Sequence, residues 1–165
     1  DAITLTGMAS LGNWNWKNDA SGSLFDEGGQ LIESINVYAK DLKVSDAAQT
    51  TFALGSKFQL MEKTSLYVDY NYAGDLYASY RITDRNDETN RSDSWEMPAY
   101  GLLDMGLNHG FSFGQFDASL SARMNNVLNT EYISDARDGA GSTAQTAGVY
   151  YGAGRTFSLG LKINF

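Results

Sequence analysis

Several residue types on which small proteins depend are scarce in this chain of 165 residues. It has no cysteine, which excludes disulfides, thiol catalysis and zinc sites built on thiolates. No stretch approaches the ~18 to 20 apolar residues of a transmembrane helix, so a membrane role would have to be performed by strands. The 12 Lys and Arg residues are scattered and outnumbered by 20 acids, which excludes nucleic acid as an expected partner.

The residues that are abundant favour strands and turns. The chain has 17 Gly, 10 Tyr, 8 Phe and 3 Trp beside a single Pro. The final segment, residues 156–165, alternates strictly between polar and apolar positions, which predicts a strand with one apolar face. Its length exceeds the ~5 to 6 residues of an ordinary strand and approaches the ~9 to 11 that cross a bilayer at a tilt.

Six more segments alternate in the same way and predict seven strands in total. In the first segment the phase shifts at Trp14 and Trp16, which we interpret as a bulge. The six segments are marked by Ile3, Leu5 and Leu11; by Ile35, Val37 and Ala39; by Phe52, Leu54, Phe58 and Leu60; by Leu66, Val68, Tyr70 and Tyr72; by Leu103, Met105, Leu107, Phe111 and Phe113; and by Phe116, Ala118, Leu120 and Ala122.

The connections between these segments alternate in length. Residues 26–30, 61–64 and 112–115 predict tight turns, whereas residues 79–98 and 131–147 predict long polar loops; the short connection 43–49 is the one exception. Short turns at one side and long loops at the other are typical of an outer-membrane barrel. We therefore expect an all-β fold of antiparallel transmembrane β-barrel strands, in which the first and last strands run in the same direction.

Seven strands cannot close a bacterial barrel, because such barrels have even strand numbers and no unpaired edge in lipid. The simplest expectation is that residues 1–165 form the C-terminal part of a larger barrel domain. A complete barrel of about eight strands with a structural or adhesive role is the alternative. A soluble β-protein that binds sugar or protein is a third class, in which the aromatic residues would pack in a core.

Motifs spread over the whole chain resemble TonB-dependent outer-membrane receptors. Residues 154–165 resemble the closing strand of that family, including its terminal aromatic residue. Residues 126–132 (Asn-Val-Leu-Asn-Thr-Glu-Tyr) are similar to its Asn-Leu-Phe-Asp-x-x-Tyr pattern, with Leu128 in place of Phe and Asn129 in place of Asp. Similar to segments of receptors from the Bacteroidetes branch are residues 12–16, residues 37–38 with 42–44, residues 46–50, and Trp95 with residues 98–101.

This resemblance implies a 22-stranded barrel in the bacterial outer membrane, plugged by an N-terminal domain that this chain lacks. It implies import of a scarce nutrient such as a siderophore, haem, cobalamin, a glycan or a peptide. The implied partners are membrane lipid, the remaining strands and plug, TonB through that plug, and a surface lipoprotein. In the family, a terminal aromatic residue, here Phe165, is part of the signal for barrel assembly.

Two groups of side chains are candidates for contact with ligand or membrane. Arginines and aromatic residues of the long loops suit a charged or planar cargo. Aromatic residues near strand ends suit the membrane interface, where amphipathic rings are enriched. The loop candidates are Arg81, Arg85, Trp95, Arg137 and Tyr150, and the interface candidates are Trp14, Trp16, Tyr67, Tyr70, Tyr72, Phe111 and Phe113.

Catalysis, metals and cofactors are not expected. His109 is the only histidine, and a metal would have to recruit carboxylates such as Asp104. Ser112, His109 and Asp104 have no nucleophile-elbow motif to position them. The acids of residues 81–93 alternate with arginines, and the Gly-rich residues 139–142 lie in a polar loop, so both segments predict solvated surface rather than calcium or phosphate sites.

Overall fold

The computed structural model describes residues 2–164, and its regular secondary structure is almost entirely antiparallel strand. The strands are β1 (Ile3–Leu11), β2 (Ala20–Phe25), β3 (Leu31–Val37), β4 (Thr50–Met61), β5 (Thr64–Gly74), β6 (Leu76–Tyr77), β7 (Glu96–Met97), β8 (Tyr100–Phe113), β9 (Phe116–Asn125), β10 (Ile133–Arg137), β11 (Gly148–Tyr151) and β12 (Thr156–Asn164), with a 3₁₀ turn at Ile82–Arg85. Within residues 2–164 no helix has the length and apolar character needed to cross a membrane.

Six long strands form the main sheet, in the order β1-β4-β5-β8-β9-β12. Each strand is antiparallel to its neighbours, and the alternating segments of the sequence pair in register over nearly their full length. The all-β, antiparallel expectation is therefore confirmed. Within residues 2–164 the sheet is open, since β1 pairs only with β4 and β12 only with β9.

One of the seven predicted strands, the one around Ile35, is not part of this sheet. β3 pairs with β2 in a separate hairpin whose tip is the turn at residues 26–30. A three-residue apolar alternation is the same for a strand of either sheet, so the sequence identified the strand but not its partner. The correct number of long strands is six.

The direction of the first strand is corrected for the same reason. With six strands in antiparallel order, β1 runs opposite to β12 rather than parallel to it. The exception at residues 43–49 also disappears, because this segment belongs to a long connection between β1 and β4. All three long connections now lie at one end of the sheet, and the tight turns β4–β5 and β8–β9 lie at the other.

The predicted bulge at the first strand is wrong as well. β1 ends at Leu11, and the following segment forms a short antiparallel ladder with residues 42–44. The N–H of Trp16 donates to the carbonyl of Leu42 (2.9 Å), and the N–H of Val44 donates to the carbonyl of Trp14 (2.9 Å). The phase shift in the sequence therefore marks a strand end.

The main sheet has one apolar face that crosses all six strands. Directly opposed residues share a face, so the register aligns the apolar rows of neighbouring strands. The rows comprise Ile3, Leu5 and Leu11; Phe52, Leu54 and Phe58; Leu66, Val68, Tyr70 and Tyr72; Leu103, Met105, Leu107, Phe111 and Phe113; Phe116, Leu120 and Met124; and Phe157, Leu159, Leu161 and Ile163.

No second layer packs on this apolar face within residues 2–164. Leu11 is 84% exposed and Leu159 is 80% exposed. The opposite face carries small and polar side chains, among them Thr6, Asp69 and Arg123. The sheet is therefore a single layer held by its hydrogen-bond ladders rather than by a core.

The buried apolar cluster of this chain lies in the long connections instead. Leu76, Ala78, Met97 and Ala136 are all less than 9% exposed and pack together there. Leu76 and Met97 belong to the pair β6–β7, Ala78 directly follows β6, and Ala136 belongs to the short hairpin β10–β11. The connections thus form an ordered layer with its own small core.

Candidate functional site

Three long connections meet at one end of the main sheet, and we call them together the loop layer. They are the first loop (residues 12–49), the second loop (residues 75–99) and the third loop (residues 126–155). Backbone hydrogen bonds join each loop to a neighbouring loop. These run from Tyr38 N–H to Arg85 C=O (2.7 Å), from Asp46 N–H to Tyr77 C=O (3.2 Å) and from Ser79 N–H to Ala136 C=O (2.8 Å).

Arg85 lies at the centre of the loop layer and is only 4% exposed. Its Nη1 donates to the carbonyl of Ser92 (2.7 Å), and its Nη2 lies 3.7 Å from Oδ2 of Asp138. The guanidinium carbon stands 4.6 Å from the centre of the Tyr80 ring, within cation–π range. Protein partners therefore occupy this guanidinium, and Arg85 joins the second loop to the third.

Asp138 completes this junction. Its Oδ1 accepts the N–H of Trp95 (3.3 Å), and its Oδ2 accepts the hydroxyl of Ser142 (2.7 Å). Two of the predicted ligand residues, Arg85 and Trp95, thus meet on one carboxylate. Trp95 also packs against the buried cluster, so its ring stabilises the loop layer.

A recess of about 330 Å³ opens beside Arg85 and Asp138. Asp84, Asn90 and the small residues 139–141 form its other walls. It presents hydrogen-bond donors and acceptors and is bordered by Tyr80, whose phenol pKa is raised by burial. Such a lining suits a polar ligand of moderate size better than an apolar one.

The other three loop candidates lie at the surface. Arg81 is exposed just before the 3₁₀ turn, and Arg137 is exposed at the end of β10. Tyr150 is 61% exposed in β11 and pairs with Asp135 on the neighbouring strand. These side chains are accessible to a ligand, but they do not converge with Arg85 and Trp95 on one group.

The hairpin β2–β3 is anchored to the second loop at its base. Asp19 forms a bidentate ion pair with Arg91, at 2.6 Å and 3.0 Å, and accepts the N–H of Lys40 (2.8 Å). The Arg91 guanidinium and the Lys40 amide lower the pKa of Asp19 to about 2. Arg91 also lies over the Tyr38 ring, 5.2 Å from its centre. The base of the hairpin is thus fixed, although both of its strands are largely exposed.

Two buried amides close the junctions between strands and loops. Gln49 is 1% exposed, and its side chain accepts the N–H of Trp14 (2.9 Å) and donates to the carbonyl of the same residue (3.1 Å). Gly12 fits beside them because a Cβ there would meet the Trp14 ring at 2.7 Å. These contacts give residues 12–16 and 46–50 a structural role that the sequence analysis did not assign.

Asn126 closes the junction between β9 and the third loop. It adopts a positive φ of 50°, and its side chain bonds both N–H and C=O of Thr130 (2.8 and 2.9 Å). Its own N–H donates to Asp104 (2.8 Å), and Asn129 accepts the N–H of Arg155 (3.0 Å). Asparagine tolerates this backbone conformation better than most residues. The Asn-x-x-Asn spacing of residues 126–129 is the feature of the sequence that could have predicted this turn.

The interface candidates do not all lie on one face. Tyr70, Tyr72, Phe111 and Phe113 belong to the apolar face, where Phe52 stacks on Tyr72 with ring centres 4.7 Å apart. Tyr67 lies on the polar face, because it is an odd number of residues from the others on β5 and opposes Gly106.

Trp14 and Trp16 lie beyond the end of β1 in the first loop, and each is 45% exposed. Phe165, the predicted assembly signal, falls outside the described residues. His109 lies on the apolar face, where its Nδ1 is 2.9 Å from the Thr64 hydroxyl. Within residues 2–164 no group of three or more His, Asp or Glu side chains is arranged to hold a metal ion.

Comparison with known proteins found no counterpart: no protein-family model, curated protein or solved structure matches the chain. The receptor family therefore stays a prediction that depends on the sequence motifs.

Removal of Arg85 should loosen the loop layer. We expect R85M to destabilise it by roughly 3 kcal/mol, because Asp138 would be left as a buried charge without its cation. Hydrogen exchange of peptides from residues 75–99 and 126–155 measures the effect, with R81M as the exposed control. The double variant R85M/D138L should recover part of the loss, and equal exchange in R85M and R81M would contradict this role.

The Asp19–Arg91 pair should persist at unusually low pH. The folded pKa of Asp19 is about 2 against an ordinary 3.8, so its stabilising effect is complete above about 3.8 and is lost as the pH falls through about 2. Titration of the Asp19 carboxyl carbon by NMR measures this value. In R91Q the midpoint should rise toward 3.8, and an unchanged midpoint would show that the ion pair is not its cause.

Proposed function

We propose that this chain forms part of the wall and outer rim of a TonB-dependent outer-membrane receptor that imports a scarce nutrient. The observation that carries the proposal is the apolar face of the main sheet, which extends over six long strands and has no covering layer within residues 2–164. In water such a face is unfavourable, since each large apolar side chain gains ~1.5 to 3 kcal/mol on burial. Lipid hydrocarbon would provide that burial.

The dimensions of the sheet support a membrane setting. The six strands contain between 9 and 14 residues, and a tilted transmembrane strand requires ~9 to 11. On β4 the aromatic residues Phe52 and Phe58 are six positions apart, about 20 Å at ~3.3 Å per residue. At the ~35 to 45° tilt of barrel strands this separation covers ~14 to 16 Å of the membrane normal, which fits within the ~25 Å apolar band of outer-membrane barrels.

The asymmetry of the two sheet ends supports the orientation. Two tight turns lie at one end, and the three loops of the loop layer lie at the other. In outer-membrane barrels the short turns face the periplasm and the long loops face outward. In this orientation the recess beside Arg85 and the exposed Arg81, Arg137 and Tyr150 would meet ligand first.

The open edges support the need for further strands. In hydrocarbon an unpaired strand edge leaves backbone groups without hydrogen bonds, which costs several kcal/mol per group. β1 and β12 would therefore pair with the remaining strands of the same receptor, and a plug on the polar face would connect the barrel to TonB. We assign the chain no catalytic role, and its other partners would be membrane lipid and a surface lipoprotein.

A complete small barrel in the outer membrane is the second candidate. It shares the apolar face and the asymmetric ends, but it must close its edges with few additional strands or with further copies of the chain. The motif at residues 126–132 and the resemblance of residues 154–165 to a receptor's closing strand favour the larger barrel.

An arginine on the apolar face should be far more harmful than one on the polar face. We expect L159R to lower the free energy of unfolding in lipid vesicles by ~2 to 4 kcal/mol, as for a cation facing the hydrocarbon. T156R, three residues away on the opposite face and opposite the uncharged Asn125, is the control and should have little effect. Similar losses in the two variants would mean that lipid does not contact this face.

Import should depend on the proton-driven TonB system. A strain lacking the gene should lose growth on one iron, vitamin or glycan source, and a strain lacking TonB should lose growth on the same source. Intact mass of the polypeptide from native membranes separates the two candidates, since a receptor would be several times larger than a small barrel. Growth that requires this gene but not TonB would overturn the receptor assignment.

A further inference from the structure

A row of five residues crosses the polar face of the main sheet near its middle. In neighbouring strands, Lys57 opposes Tyr67, Tyr67 opposes Gly106, Gly106 opposes Arg123, and Arg123 opposes Ser158. Tyr67 and Gly106 therefore lie between two cations, Lys57 on one side and Arg123 on the other.

Gly106 leaves space in this row. A Cβ at Gly106 would stand 3.6 Å from the carbonyl of Ala122 and 4.0 Å from Nε of Arg123, so any larger side chain would fill the space beside the guanidinium. The result is a recess of about 550 Å³ on the polar face. Its polar walls are Tyr67, Asn108, Ser121, Arg123 and Ser158, and no carboxylate lines it.

Arg123 has no anionic partner among residues 2–164. Two acids lie on the next row toward the loop layer, but both are directed elsewhere. Oδ1 of Asp104 accepts the N–H of Asn126 (2.8 Å), and Oδ1 of Asp69 lies beside Gly55, 2.8 Å from the position of a Cβ there. The guanidinium therefore presents its donors to the recess without an acceptor.

The recess presents positive charge from an exposed arginine on the polar face. The chain has a net charge of −8, yet this recess contains a cation and no acid. Guanidinium donors match the two oxygens of a carboxylate or phosphate in a bidentate geometry. Lys57, whose Nζ is 5.6 Å from the centre of the Tyr67 ring, adds positive potential nearby.

We propose that the recess over Gly106 binds an anionic group, a carboxylate or a phosphate, through Arg123. The site lies on the opposite face from lipid and away from the loop layer, so it goes beyond the proposed function and does not depend on which nutrient is imported. The anionic group has two sources: the side-chain carboxylate of a protein segment lying against this face, or a dissolved anion that enters the barrel.

A chemical crosslink distinguishes the first source. In the natural full-length polypeptide, R123K places an amine where the guanidinium was, and a carbodiimide joins an amine to a carboxylate in direct contact with loss of water. Peptide mass spectrometry then identifies the crosslinked acid. Natural Lys162 is the matched control, because it lies on the same face opposite Ser119 and outside the recess.

Phosphate titration distinguishes the second source. Inorganic phosphate should raise the thermal midpoint of the natural polypeptide in detergent, and R123Q should weaken the apparent affinity roughly tenfold, the effect of one lost charge-assisted pair. K162Q should leave the affinity unchanged. Heat-dependent mobility in gels reports for each variant whether the barrel is folded, independently of the anion.

Either result supports the proposal and names the source of the anion. A crosslink at the introduced amine in excess of that at Lys162 indicates a protein carboxylate. Phosphate stabilisation that is lost in R123Q and kept in K162Q indicates a dissolved anion. A folded R123K protein without the crosslink, together with equal phosphate responses in R123Q and K162Q, would overturn the proposal.

Discussion

Backbone hydrogen bonding between adjacent strands holds the main sheet together, and the other features of the molecule depend on it. Six strands pair along their length, yet no second layer packs on either face within residues 2–164. A single sheet in water lacks the apolar burial that stabilises ordinary domains. In the proposed function lipid around the apolar face would supply that burial, so the proposal depends on the alternation of side chains across the sheet.

The loop layer is stabilised by different means from the sheet. It has a small apolar cluster, the buried contact between Arg85 and Asp138, and the ion pair between Asp19 and Arg91. Ordering polar loops of this length is entropically unfavourable unless many contacts fix them. The loop layer therefore presents a defined surface, in which the recess beside Arg85 has fixed walls.

The sequence predicted the elements better than their partners. Period-two alternation identified every long strand of the sheet, because side chains of a strand point alternately to its two faces. It could not assign the partner of β3, since a hairpin inserted in a loop has the same local pattern as a strand of the main sheet. This single error produced the odd strand number, the wrong direction of β1 and the apparent exception at residues 43–49.

Site residues were predictable to a smaller extent. Composition of the long loops identified Arg85 and Trp95 as residues of interest, but only the folded loops show that both bind Asp138. Tyr67 was grouped with the interface aromatics because proximity to a strand end says nothing about which face a side chain occupies. The role of Gln49 depends on contacts between segments distant in sequence, which no local pattern encodes. The local Asn-x-x-Asn spacing indicated the turn at Asn126, but it did not indicate the contact of Asn126 with Ala153.

The even number of long strands has a consequence for how such a wall can be built. β1 starts, and β12 finishes, at the end that carries the tight turns, so the polypeptide enters and leaves the sheet on one side. Two-stranded hairpins can therefore be added to or removed from either open edge without changing the direction of the remaining strands. The long loops remain at the same end of the sheet whatever the total number of strands.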